Sequence, residues 1–331
     1  MSGSNGNGSA PRSRARSVLI TGALGYLGSQ VTRALAQHRR GIETVVAADI
    51  REPDEARREP GVTYVTLDVR SPDVEAVLRE HQVDTVVHLA AIVTPRPGDT
   101  REFLREVEVE GTRNLVEACL ATGVKTFIVT SSGAAYGYHA DQDRYLTETS
   151  ELRGNEAFAY SHHKRLVEEM LAEYRESHPE LHQIIFRVGT ILGDTVNNQI
   201  TALFEGRVVV GLQGAPTPFV FIWDRDMVRI LEQAIHSPVP GIFNVAGDGT
   251  VTLREIARRL GKPFLPLPVD LVTKSLSVLH RLRLSQYGPE QVGFLRYRPV
   301  LGNDRLKKEF GYTPELTSRE VFERYARSKG Y

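Results

Sequence analysis

The chain has 331 residues, 41 Lys plus Arg against 41 Asp plus Glu, a single Cys and 41% hydrophobic residues. That length can bury a large core and, at roughly 100–200 residues per domain, accommodates two lobes or one large α/β unit. One Cys excludes an intramolecular disulfide framework. The even charge gives no general footprint for nucleic acid or an anionic membrane, and no apolar run approaches the roughly 20 residues that span a bilayer.

Residues 1–16, MSGSNGNGSAPRSRAR, contain no acid and almost nothing apolar. They predict a disordered leader, and they lack the apolar stretch of a secretory signal. Arg12, Arg14 and Arg16 belong to it, so the remainder of the chain is slightly acidic. From Ser17, β-branched runs at 17–21, 43–49, 62–68, 84–91, 125–132 and 181–188 read as strands. Helix candidates at 26–39, 72–81, 101–122 and 159–177 separate them. Apolar strands alternating with helices imply an α/β fold, a doubly wound parallel sheet covered on both faces. Cys119, in the apolar stretch Leu115, Val116, Ala118 and Leu120, reads as a core residue. After Val188 the rhythm is lost: helices near 197–205, 225–236, 253–260, 269–283, 303–310 and 317–328 surround strands at 219–223 and 241–246. The expected division is therefore 17–188 for a nucleotide-binding domain and 189–331 for a smaller, mostly helical substrate lobe, with strands shared between them.

The first strand runs into Thr21-Gly22-Ala23-Leu24-Gly25-Tyr26-Leu27-Gly28 and then an amphipathic helix. Gly22 suits the tight turn, Gly25 lets backbone amides approach a pyrophosphate, and Gly28 lets the helix pack closely on the sheet. The helix N-terminus adds partial positive charge for the phosphates. Asp49 ends the second strand, where a carboxylate accepts hydrogen bonds from the ribose hydroxyls and repels a 2′-phosphate, favouring NAD over NADP. Ile50 and Arg51 follow, and Arg51 is the one feature there that would suit a phosphate. Asp68 and Val69 end the third strand, placed for the adenine edge.

Tyr160 and Lys164 are i and i+4 on one helix face and follow a Ser-rich strand end, Thr130-Ser131-Ser132. A free phenol has a pKa near 10, and an adjacent ammonium stabilises the phenolate toward working pH. His162 and His163, lying between them, read as surface or packing residues.

With these residues in place the sequence resembles the extended short-chain dehydrogenase/reductase family, the group containing nucleotide-sugar epimerases and dehydratases. The matching stretches are TGALGYLG (21–28), Asp49, LDV (67–69), HLAA (88–91), EGTRNLVEA (110–118), TSSGAAYG (130–137), YSHHK (160–164), RVGTILG (187–193), FNVAGDG (243–249) and DRLKKEFGYTP (304–314). The resemblance implies a Rossmann-type sheet and NAD bound by Gly22, Gly25, Tyr26, Leu27, Gly28, Asp49, Ile50, Arg51, Asp68, Val69, Leu89, Ala90, Ala91, Tyr160 and Lys164. It also implies Tyr160 as general acid/base, Lys164 lowering its pKa and holding the nicotinamide ribose, and Ser132 on the reacting oxygen, with Ser131 as the alternative. A homodimer through helices 101–122 and 159–177 is implied as well.

Departures from the family pattern bear on the substrate. Thr190 stands where an Asn often contacts a sugar nucleotide. No Arg precedes the 219–223 strand to hold a diphosphate, and Glu108 replaces the Asn expected three residues before Gly111. Phe219, Phe221, Trp223 and the stretch 269–284 offer apolar surface that could line a pocket for a hydrophobic alcohol but that core packing explains better, and 269–284 has the pattern of a membrane-surface helix, which ordinary amphipathic packing gives as well. No metal signature is present. The expectation is a cytoplasmic NAD-dependent oxidoreductase acting on a secondary alcohol or ketone of a small molecule, without nucleic-acid or membrane partners. A nucleotide-sugar epimerase with tightly bound NAD is the first alternative, and a non-enzymatic dinucleotide sensor the second.

Overall fold

The computed structural model describes residues 15–96, 98–282, 288–289 and 291–331; residues 1–14 of the expected leader and the end of the 269–284 stretch lie outside the described residues. Seven parallel strands form the main sheet: β1 (Ser17–Thr21), β2 (Thr44–Asp49), β3 (Thr63–Thr66), β4 (Thr85–His88), β5 (Thr126–Ser132), β6 (His182–Val188) and, after four further strands in chain order, β11 (Gly241–Val245). Their order is β11-β6-β5-β4-β1-β2-β3. Side chains alternate between faces along each strand. Val18 and Ile20 join one core cluster while Leu19 joins the other, which is why β1 is apolar throughout.

On the first face lie α1 (Tyr26–Gln37), through Val31 and Leu35, and α7 (Asp224–His236), through Met227, Ile230 and Leu231. On the other lie α2 (Asp73–Glu80), α4 (Gly111–Thr122) and α5 (Ala159–Ser177), contributing Val74, Leu78, Leu115, Val116, Val167 and Leu171. The 101–122 segment expected as one regular helix is α3 (Arg101–Arg105), a π-turn over Glu106–Glu110, and α4. Thr100 caps its start by accepting the Phe103 N–H, and Gly123, at φ +76°, ends it. Cys119 is fully buried among these helices, and burial pushes its thiol up.

Beyond Val188 the chain builds short parallel or antiparallel pairs: β7 (Thr190–Leu192) with β10 (Phe221–Trp223), β9 (Pro218–Phe219) with β12 (Val251–Thr252), and β8 (Val209–Leu212) with β13 (Phe264–Leu267). With α6 (Gln199–Glu205), α8 (Leu253–Arg259), α9 (Val269–Arg281), α10 (Gln291–Arg296) and α11 (Ser318–Ser328), they make the second lobe. The expected 219–223 strand is thus two strands, because the chain changes partner at Val220, whose carbonyl accepts the Thr190 N–H. Phe219 and Phe221 stack 5.6 Å apart in the core of this lobe, with Phe204, Phe322 and Tyr325. Core packing, not a pocket, takes them. β11 then returns to the main sheet beside β6, so both halves of the chain share it. Among the described residues no helix is long and apolar enough to cross a membrane.

Candidate active site

The loop after β1 has the geometry of an anion cradle. Gly22 sits at φ +68°, where a Cβ would also lie 2.7 Å from the Ala90 nitrogen, and a Cβ on Gly28 would strike the Gly22 carbonyl. Gly25 caps α1 with no side-chain acceptor, leaving the first-turn amides to an incoming ligand. Asp49 is tied to this loop: Leu24 N–H donates to its Oδ2 at 3.0 Å, while its Oδ1 accepts from Arg51 N at 3.3 Å and Arg51 Nε at 3.4 Å. Arg51 is therefore engaged by the carboxylate. Asp68 pairs with Arg70 at 2.6 Å, and that bond holds its carboxyl below the usual range.

Two cavities meet over this loop. One, of about 420 Å³, is lined by Asp49, Ile50, Arg51, Asp68, Val69 and Ala90; the other, of about 440 Å³, by Tyr26, Leu27, Gly28, Ser132, Tyr160 and Lys164. Gly22, Gly25, Leu89 and Ala91 line both. The structure thus gathers every residue expected for cofactor and chemistry along one continuous cleft at the carboxyl ends of the strands.

Tyr160 and Lys164 project from the first turns of α5. Lys164 Nζ lies 5.6 Å from the Tyr160 ring centroid and donates to the Thr130 carbonyl at 3.4 Å. Burial pushes the Tyr160 phenol up to about 12; a hydrogen bond with Ser132 pulls it down and the Glu108 charge pushes it up. Ser132 also accepts the Ala134 N–H at 3.1 Å, which fixes its rotamer at the end of β5. Ser131 is committed elsewhere, donating to Glu168 at 2.5 Å. Glu168 in turn pairs with Arg187 at 2.7 Å, Arg187 Nη1 donates to the Tyr136 hydroxyl at 2.8 Å, and Tyr136 donates to Asn244 at 2.7 Å. This buried chain braces α5 against β6 and β11. His162 faces outward to Arg101, whereas His163 turns inward to Glu108.

Sequence reasoning missed Arg298. Its guanidinium lies 4.2 Å from the Phe219 ring centroid and 4.4 Å from that of Phe294, and Nη2 donates to Thr190 Oγ1 at 3.3 Å. Among the described residues Nε and Nη1 have no hydrogen-bond partner, and burial pushes the group down to about 10. It lines the cavity that holds Tyr160, beside an aromatic wall of Tyr138, Phe158 and Phe294. The absence of an Arg before the 219–223 strand therefore does not leave the cavity without a cation. Its only sequence signal was an Arg among apolar residues in LRYRPV (295–300).

A family model described as the NAD dependent epimerase/dehydratase family matches residues 18–246. The chain belongs to this family. An uncharacterised protein of Mycobacterium tuberculosis is 30% identical over 317 residues, spanning 95% of this chain and 84% of that one. A UDP-glucose 4-epimerase of Erwinia amylovora is 28% identical over 194 residues, 56% of each chain. The solved Thermus thermophilus UDP-glucose 4-epimerase in complex with NAD superposes with a TM-score of 0.71 at 24% identity, over 95% of this chain and 99% of that one. Membership of the NAD-dependent epimerase/dehydratase family makes this protein an enzyme with NAD as its cofactor, which sets the sensor reading aside. The side-chain-free cradle at Gly22, the uncapped start of α1 and the carboxylate of Asp49 fit that dinucleotide.

Proposed function

We propose that the protein is an NAD-dependent oxidoreductase that acts on a secondary alcohol or ketone carrying an anionic group. The observation that carries this reading is the cavity that joins Ser132, Tyr160 and Lys164 to the glycine loop and places the unpaired Arg298 on its wall. NAD, when bound, supplies the hydride acceptor or donor and, oxidised, a positive ring. Tyr160 exchanges the substrate hydroxyl proton, Ser132 hydrogen-bonds the reacting oxygen, and Lys164 offsets the burial that keeps the phenol protonated. Arg298 Nε and Nη1 keep N–H donors on two different edges of the guanidinium, and either edge offers a charge-assisted hydrogen bond to a carboxylate or phosphate.

Arg298→Met should raise KM for the physiological substrate roughly 100-fold, the loss expected for a buried charge-assisted contact, while kcat changes little. Because it also removes an unpaired buried cation, the variant should melt at or above the wild-type temperature. Steady-state kinetics and thermal melting check both. Asp49→Asn keeps an acceptor for Leu24 N–H but loses the charge; NADP should gain on NAD by about tenfold in binding titrations.

The second reading is a nucleotide-sugar epimerase that retains NAD, favoured by the similarity to an enzyme named UDP-glucose 4-epimerase and by the cation at Arg298. Releasing and identifying the nucleotide, then following reduced-cofactor absorbance with candidate substrates, separates the two. Exchangeable NAD with stoichiometric reduction supports the dehydrogenase. Tightly held NAD with turnover and no net reduction supports the epimerase.

A further inference from the structure

Beside Tyr160 the helix carrying residues 101–122 leaves α geometry for the π-turn Glu106–Glu110, which packs on α5. Such single-turn distortions re-aim side chains and occur often at functional sites. This one turns Glu108 inward to 4% exposure, with Oε2 3.1 Å from Nδ1 of His163, itself 1% exposed. The other polar atom of each, Glu108 Oε1 and His163 Nε2, is buried with no hydrogen-bond partner among the described residues. Packing alone gives no reason for this arrangement, since an apolar pair of similar volume is usually as stable as a buried ionisable one. Its place does give one. His163 follows Tyr160 by three residues and precedes Lys164, so the three share one face of α5.

We propose that Glu108 and His163 form a buried positioning couple for Tyr160: His163 fixes the Glu108 carboxylate where its charge opposes ionisation of the phenol, and so sets the pH at which Tyr160 exchanges its proton. The inference rests on Tyr160 being the acid/base of the proposed reaction. The other groups facing this point have settled roles. From α5, Lys164 favours the phenolate, and Glu168 is neutralised by Arg187. From β4, His88 gives both ring nitrogens to Thr21 and Thr112, and burial, then Lys164, pushes it down to about 3, so it stays neutral. From β5, Ser132 bonds the phenol; Tyr138 lies nearby as a buried phenol pushed up by its own burial, with Arg298 beyond it. The couple thus holds on the α5 face a carboxylate that, among the described residues, pairs with no Lys or Arg. It biases the site toward a protonated Tyr160, the form that donates a proton to a ketone oxygen.

The test uses the full-length protein loaded with NAD. In Glu108→Gln the acidic limb of kcat/KM for alcohol oxidation should fall by about half to one pH unit, because a carboxylate opposing the phenolate is gone. KM at the optimum should stay within about twofold, and Glu108→Asp should return the limb toward wild type. A phenolate absorbance titration of Glu108→Gln, differenced against Glu108→Gln/Tyr160→Phe, should show the same downward shift with no substrate present. His163→Gln keeps the carboxylate charged and still offers a donor, so its limb should lie at or above that of wild type; this variant decides the matter if Glu108→Gln does not fold. An unmoved limb and titration in Glu108→Gln, or a fall in His163→Gln, overturns the couple. If Tyr160→Phe turns over normally, it is the acid/base reading that fails; if Tyr160→Phe is inactive and the limb is unmoved, only the couple fails.

Discussion

Tyr160→Phe should lower kcat/KM by roughly 10²–10⁴-fold, the range contributed by a positioned general acid–base group, while leaving the fold and NAD affinity nearly intact. The substitution removes one buried hydroxyl that bonds Ser132 and leaves the ring in its place against Phe158. The expected stability change is therefore about 1 kcal/mol, the net worth of one such bond. The reason for the large kinetic effect is local. Ser132 already accepts the Ala134 N–H and Ser131 is spent on Glu168, so neither serine at the end of β5 stands ready to take the proton instead. Kinetics and melting of the same preparation check both halves of this expectation.

The second large effect is structural. Replacing Arg187 by Leu leaves the Glu168 carboxylate, 1% exposed at its side chain, without its cation, and should destabilise the protein by about 3–5 kcal/mol. Against a typical total of about 5–15 kcal/mol that is a large fraction, and it strips the Tyr136 hydroxyl of a donor as well. Glu168→Leu should cost a similar amount. The double variant should cost much less than the sum of the two, because neither charge is then stranded in the core. Equilibrium denaturation of the four proteins measures the coupling. Additive losses would show that the pair is not the brace described above.

These two sites differ in how far they could be read in advance. The sheet was legible because β1, β4, β5 and β6 are buried on both faces and so are written as continuous apolar runs. The glycine loop and the Tyr160–Lys164 pair were legible as patterns because each rests on fixed short spacings within one turn or one helix. Ser132 and Ser131 were told apart only by position, and it is the orientation of β5 that sends one hydroxyl toward Tyr160 and its neighbour toward Glu168 on the opposite face. Arg298 was invisible for the complementary reason. Apart from Phe294, four residues before it, its contacts Phe219 and Thr190 come from segments far away in sequence, and no local pattern marks their convergence. The π-turn was hidden as well: one added residue in a helical turn leaves the apolar spacing almost unchanged, yet decides that Glu108 faces His163 instead of solvent. In the second lobe, β-pairs of two to four residues are too short to produce a period, so β7, β8, β12 and β13 leave no mark in the sequence between its helices.

We propose that hydride chemistry takes place in this cleft with Tyr160 moving the proton. Rapid mixing of NAD-loaded protein with secondary alcohols that carry a carboxylate or phosphate, followed by reduced-nicotinamide absorbance, tests it most directly. Reduction is expected in the wild-type protein, transient if the cofactor is retained and lasting if it exchanges, with a rate lower by roughly 10²-fold or more in Tyr160→Phe. Reduction at the same rate in Tyr160→Phe would contradict it.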